Sequence, residues 1–163
     1  MLSWGHADRH LRNSRSYWLA TVRDDGRPHA MPVWGVWDGR ALWFGTGPTS
    51  VKGRNIARDP RVVMHLESGD DVVILEGTIE RTWSDEILGA YSAKYAMTEL
   101  AFEREADGTG MYRLAPDTVQ AWLEGEFLAS GVRFRFDADG RPVEDGRPSM
   151  IAAEIAAAGD RDR

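Results

Sequence analysis

The sequence predicts a mainly β protein, a closed antiparallel barrel with two or three helices inserted at its periphery. Three observations carry this. Short runs rich in aromatic and β-branched residues recur along the chain, and tight Gly/Asp turns join them. Strands do not alternate regularly with long helical patterns, which argues against a parallel doubly wound sheet. No internal repeat or low-complexity linker divides the 163 residues, a length that fits one domain with a real core.

Taken in order, residues 3–14 read as a short polar helix carrying Arg9, Arg12 and Arg15 at intervals of three. His6 and His10 are spaced i,i+4 on it. That spacing can hold a metal, but the sequence alone places no third ligand, so a solvated face and no metal are expected. Residues 16–23 (Ser-Tyr-Trp-Leu-Ala-Thr-Val-Arg) form a strand, and Asp24-Asp25-Gly26-Arg27 a hairpin turn. Residues 28–37 form a second strand. Its Pro28 and Pro32 cannot donate to a ladder, so it should be an edge strand, bulged or broken near Pro32. That leaves the backbone of Met31, Val33 and Trp34 free for something other than a strand. Asp38-Gly39 is a second turn and residues 41–46 a third strand.

The stretch Thr46-Gly47-Pro48-Thr49-Ser50-Val51-Lys52-Gly53-Arg54-Asn55 links that strand to a helix over about 50–58. Asp59-Pro60 ends the helix, because the residue before a proline is pushed out of the α region. Strands follow at 61–66 and 72–82, separated by the turn Glu67-Ser68-Gly69-Asp70-Asp71. Ser84-Asp85-Glu86 caps a helix to about Tyr95, which residues 98–104 extend. Strands at 111–114 and 118–123 are separated by Pro116, and the alternation in 132–136 marks one more. Residues 150–158 read as a short helix and 159–163 as disordered. The resulting division is an N-terminal helix (1–15), a barrel domain (16–136) and a partly disordered tail (137–163).

Composition narrows the function classes. The net charge of -6 argues against a nucleic-acid module held by a general basic field. No Cys is present, which excludes disulfides and thiolate chemistry and suits a reducing cytoplasm. No apolar run approaches the roughly 18 residues of a membrane span, and Met1-Leu2-Ser3-Trp4-Gly5-His6 lacks a signal-peptide core. Seven Trp are a heavy aromatic load, of the kind that dominates cores and interfaces.

Charge is also distributed unevenly. Lys52, Arg54, Arg58 and Arg61 stand against Asp59 alone, a basic island in an acidic chain that suggests a local anion. A helix N-terminus exposes unpaired N–H groups and a partial positive charge. Hydroxyls and a lysine there suit a phosphate, although a plain capped helix has the same sequence. Catalytic signatures are missing: no Gly-x-Ser-x-Gly, His-Glu-x-x-His or Gly-x-Gly-x-x-Gly occurs, and no nucleophile or acid/base pair stands out. The catalytic residue is not assigned. A cofactor could carry the chemistry, with its ring near Pro32-Val33-Trp34 and its phosphate at Ser50 and Lys52.

The run Tyr17-Trp18-Leu19-Ala20-Thr21-Val22-Arg23, then Asp25-Gly26-Arg27-Pro28-His29 and Met31-Pro32-Val33-Trp34, resembles the flavin split-barrel family related to pyridoxamine 5'-phosphate oxidase. Thr46-Gly47, Ser50-x-Lys52-x-x-Asn55, Asp59-Pro60-Arg61-Val62 and Glu76-Gly77 continue the likeness in order. It weakens through Tyr91-x-x-Lys94-Tyr95, Trp122 and 132–136. Within the family the residues look most like the flavin/deazaflavin oxidoreductases of actinobacterial type.

The resemblance implies a six-stranded split barrel, a homodimer with the cofactor in a groove between subunits, and FMN or the deazaflavin coenzyme F420 as cofactor. It implies that Met31, Pro32, Val33 and Trp34 line the ring and that Thr46, Ser50, Lys52 and Asn55 hold the phosphate end. Arg54, Arg58 or Arg61 would add charge, and the N-terminal arginines could meet a polyglutamate tail. The implied activity is hydride transfer between cofactor and a small conjugated or aromatic substrate; separately from the resemblance, the proton would come from solvent or a nearby side chain, for which Tyr95 is one candidate. A non-catalytic flavin, deazaflavin or haem carrier would need the same groove. The end of the chain, Gly146-Arg147-Pro148-Ser149-Met150 and an Ala-rich segment, departs from the Arg-x-x-Arg-rich stretch of true pyridoxamine 5'-phosphate oxidases, so vitamin B6 oxidation is not expected.

Overall fold

A computed structural model describes residues 1–97, 102–148 and 150–154. Its elements are α1 (Trp4–Asn13), β1 (Ser16–Val22), β2 (Pro28–Trp37), β3 (Leu42–Phe44), α2 (Val51–Arg58), β4 (Arg61–His65), β5 (Asp71–Thr82), α3 (Asp85–Tyr95), β6 (Met111–Leu123), α4 (Phe127–Ser130), β7 (Val132–Phe136) and β8 (Pro142–Glu144).

All eight strands lie in one antiparallel sheet. Six of them, in the order β3-β2-β1-β4-β5-β6, close into a barrel when β6 pairs back onto β3. β7 and β8 continue from the C-terminal half of β6 as a two-stranded wing. Closure buries alternate residues, as the period of a strand requires. Tyr17 and Leu19 of β1, Leu42 and Phe44 of β3, Met64 of β4, Leu75 of β5 and Leu114 and Val119 of β6 fill the interior. A second cluster forms where α3 covers the sheet, with Ile87, Tyr91 and Tyr95 against Val36, Trp43 and Met111.

Both prolines behave differently from the sequence reading. β2 is neither broken nor bulged at Pro32. It pairs with β1 in one unbroken register from Ser16↔Trp34 to Val22↔Pro28. The edge expectation does hold for this stretch of the strand, since β2 meets β3 only at Gly35, Val36 and Trp37. A proline's missing donor costs little beside an open edge. Pro116 likewise does not divide its segment into separate strands. β6 runs through it, and the register shift opposite Glu76 and Gly77 absorbs the irregularity.

α3 ends at Tyr95, where Ala96 takes a left-handed conformation (φ 53°). Residues 102–104 are not helical, so that portion of the expected extension fails, and 98–101 lie outside the described residues. Residues 150–154 are helical, whereas 155–158 and the tail expected to be disordered fall outside the description. No described helix is long and apolar enough to cross a membrane.

Candidate functional site

Two places on the barrel rim gather the residues singled out from sequence. The first is the start of α2. Ser50 is its N-cap, and its hydroxyl accepts from Gly53 N (3.1 Å) and pairs with Thr46 Oγ1 (3.0 Å). Two hydroxyls sharing one hydrogen bond leave one O–H free to donate to a ligand. Lys52 is half-buried and has no ion-pair partner among the described residues. Asn55 is 6% exposed, and its amide donates to Thr21 Oγ1 (2.9 Å). It locks α2 onto β1 instead of presenting its side chain to a ligand.

The basic island is divided. Arg61 is held by Asp59 through two contacts, Nε–Oδ1 at 2.9 Å and Nη2–Oδ2 at 2.8 Å. Arg58 donates to the carbonyls of Val22 (2.5 Å) and Arg23 (2.9 Å), and Arg54 donates to the Thr49 carbonyl. Arg54 and Arg58 line a cavity of about 230 Å³ with Asn55, Arg23 and the acidic Asp24. Arg23 and His29 carried part of the family likeness in the sequence but no expected site role. Burial first, then the positive charges of Arg23 and Lys52, hold the His29 imidazole below its ordinary value. These cations therefore converge across the β1–β2 hairpin. The signal was present in the hairpin: a two-strand register about Asp24-Asp25-Gly26-Arg27 places Thr21 opposite His29.

The second place is the open edge of β2. Met31 is 44% and Trp34 42% exposed, and Pro32 is exposed as well. Val33 is only 7% exposed and belongs to the core, so only its backbone can face a ligand. Strand alternation sends Met31 and Val33 to one side of β2 and Pro32 and Trp34 to the other. One flat ring cannot touch all four side chains of a single subunit.

Trp34 is held rigidly. Its ring stacks on Tyr95 of α3 (centroids 4.4 Å apart, planes 1° apart), and the Arg15 guanidinium sits 5.0 Å over it. Arg15 is thus the N-terminal arginine that reaches this place, while Arg12 pairs with Asp8 at 2.8 Å. The Tyr95 hydroxyl accepts from Gly35 N (2.8 Å) and lies 2.7 Å from the Arg15 carbonyl, which it can reach as a donor. It serves as a structural bolt, and those bonds occupy the proton that a donor role would need.

Beside it, Lys94 Nζ donates to Gly35 O (2.8 Å) and Tyr17 OH (3.1 Å), with its charge 5.1 Å from the Tyr17 ring centroid. Burial lowers its pKa from 10.5 to about 8. The unfolded chain keeps that proton up to about 10.5 and the folded chain releases it near 8, so stability should rise with pH through this window. Replacing Lys94 with Met should flatten that rise. Parallel thermal-unfolding curves from pH 7.5 to 10.5 check it, and an identical rise in Lys94→Met would exclude this origin.

Comparison with known proteins fits this geometry. The family model for pyridoxamine 5'-phosphate oxidase matches residues 5–123. A pyridoxine/pyridoxamine 5'-phosphate oxidase of Burkholderia lata is 31% identical over 137 residues, covering 64% of this chain and 64% of that protein. The chain therefore spans less than two thirds of that curated relative. Among solved structures, the conserved protein Rv2991 of Mycobacterium tuberculosis is 26% identical with a TM-score of 0.61, covering 76% of this chain and 86% of that one. An F420 reductase is 25% identical with a TM-score of 0.57, covering 72% of this chain and 98% of that one. A closed six-stranded antiparallel barrel, its open β2 edge and the matched span from residue 5 to 123 agree: the chain belongs to the pyridoxamine 5'-phosphate oxidase family.

Proposed function

We propose that the protein is an oxidoreductase that uses coenzyme F420 or FMN, with the deazaflavin preferred, and acts on a small conjugated or aromatic substrate. The observation that carries the reading is the pairing of a free O–H and a lysine without an ion-pair partner among the described residues at α2 with the open, aromatic-bounded edge of β2. The likeness to an F420 reductase supports the deazaflavin. So do Arg23, Arg54 and Arg58, which give a polyanionic tail more positive charge than one phosphate needs. Either cofactor supplies two-electron hydride chemistry at its ring.

The chain's own residues bind and orient. Thr46, Ser50 and Lys52 hold the anionic end, Asn55 fixes the helix that carries them, and the backbone of 31–34 with Met31 and Trp34 borders the ring. No side chain is assigned a covalent role. Titration of the full chain with both cofactors tests the preference, and tight FMN binding with no response to F420 would reverse it. Steady-state turnover with reduced cofactor and a panel of conjugated acceptors tests catalysis. Tight binding with no turnover would make the protein a carrier.

The reading includes a homodimer. Ala20, Val22, Pro28 and Val63 of β1, β2 and β4, with the charged Arg61, Glu76 and Asp117 among its other lining residues, border a groove of about 450 Å³. A second copy of the chain on that face would shield it and close the opposite wall of the ring site. Because Met31 and Trp34 diverge within one subunit, a ring wall completed by the other subunit fits the alternation. Val63→Arg is expected to convert a dimer to a monomer in light scattering after gel filtration, with weakened cofactor binding. A variant that stays dimeric would move the interface elsewhere.

A further inference from the structure

We propose that His6, His10 and Asp71 form a site for one divalent transition-metal ion of the zinc class, apart from the cofactor site. α1 presents His6 and His10 one turn apart, and their ring centroids lie 4.5 Å from each other. The fold then brings the first residue of β5 against both. His6 Nε2 lies 2.7 Å from Asp71 Oδ1, and His10 Nε2 lies 3.2 Å from Asp71 Oδ2. One ligand atom from each residue falls within 4.8 Å of the others, the single such His/carboxylate group among the described residues.

A tetrahedral zinc ion with bonds of about 2.0–2.2 Å separates its ligand atoms by roughly 3.3–3.6 Å. Side-chain adjustment alone brings the three atoms to that spacing. The backbone beneath is already fixed, because Asp71 N donates to Ser68 Oγ (2.9 Å) and Asp71 pairs with Leu123 in the ladder. The three side chains are partially exposed, which leaves a fourth position for water.

Two imidazoles and one carboxylate favour zinc, cobalt, nickel or copper over magnesium and calcium, which take oxygen ligands. Arg9 opposes binding, since its Nη2 lies 3.4 Å from His6 Nδ1. Metal-bound His6 carries its proton on Nδ1, so the exposed Arg9 side chain must turn away, and Arg9→Ala should tighten binding. The ion would clip α1 to the start of β5, a link between chain segments 65 residues apart.

The test uses the full chain without a histidine tag, stripped with chelator and then titrated with ZnCl2 by calorimetry and with CoCl2 by visible absorption. One equivalent of zinc, a cobalt d–d band that zinc abolishes, and a zinc-dependent rise in Tm are expected. Asp71→Asn preserves shape and an acceptor oxygen. It and His10→Ala should each weaken binding by about tenfold or more, while His29→Ala and His65→Ala should leave it unchanged. Melting curves without metal confirm that each variant folds. No cobalt band and no heat at about a hundredfold excess of metal would overturn the proposal. So would one-equivalent binding that survives both Asp71→Asn and His10→Ala, or that is lost in His29→Ala or His65→Ala.

Discussion

Lys52→Ala is expected to weaken cofactor binding by about ten- to a hundredfold, the equivalent of a lost charge-assisted hydrogen bond worth about 1.5–3 kcal/mol. Lys52 stands at the first turn of α2, beside the Thr46–Ser50 hydroxyl pair, and no described carboxylate neutralises it. The folded scaffold should not notice the change, because the side chain makes no hydrogen bond among the described residues. Fluorescence titration with F420 and FMN, paired with a melting curve, separates the two effects. Unchanged affinity at moderate salt would remove Lys52 from the anion site. Arg61→Ala is the control, since Asp59 already holds that guanidinium, and it should alter affinity little.

Gly53→Ala is expected to be more damaging than its single methyl suggests. A Cβ at Gly53 would lie 2.4 Å from the Gly47 carbonyl oxygen and 2.8 Å from that of Pro48. Both are backbone atoms, so the loop carrying Thr46 must shift away from α2. Overpacking of this kind costs about 1–3 kcal/mol. Here it also separates Thr46 from Ser50, so cofactor affinity should fall by at least as much as in Lys52→Ala. Gly47→Ala offers the contrast: no atom of the described residues lies within 4 Å of its Cβ, and neither stability nor affinity should change appreciably. Equal tolerance at both positions would mean that the loop does not need its close contact with the helix.

Those two glycines look alike in Gly47-Pro-Thr-Ser-Val-Lys-Gly53, and only the packing of the loop onto the helix tells them apart. The same holds for Asn55. Sequence placed it one turn beyond Ser50, as though pointing at the ligand, but the helix face it occupies is the one pressed against β1. Local signals were enough for β1 to β5 and β7, the Ser50 cap and the turn at Gly26, because each is decided within a few residues, whereas β8 lies in the stretch read as a tail. Pro32 and Pro116 were misread because a proline's cost depends on what the neighbouring strand does. One faces an open edge and the other a register shift. The proposed site at His6, His10 and Asp71 was not expected from sequence. Helix periodicity joined the two histidines, but the aspartate arrives by topology.

β6 is both the keystone of the barrel and its latest arrival. It pairs with β5 from end to end, seals against β3 through Tyr112, Arg113 and Leu114, and carries the β7–β8 wing. The first five strands can pair with one another early, but β3 and β5 keep exposed edges until β6 is made. Leu42 waits for Leu114, and at roughly 5–20 residues per second the wait in synthesis is about 4–14 s. Once β5 is complete at Thr82, five strands can pair while apolar Leu42, Phe44 and Leu75 wait for β6 to cover them. Ring closure over so long a separation is also the step with the greatest loop-entropy cost. Closure of β3 on β6 at Leu42 and Leu114 is therefore the step expected to limit folding, and chaperone demand should end when β6 clears the ribosome.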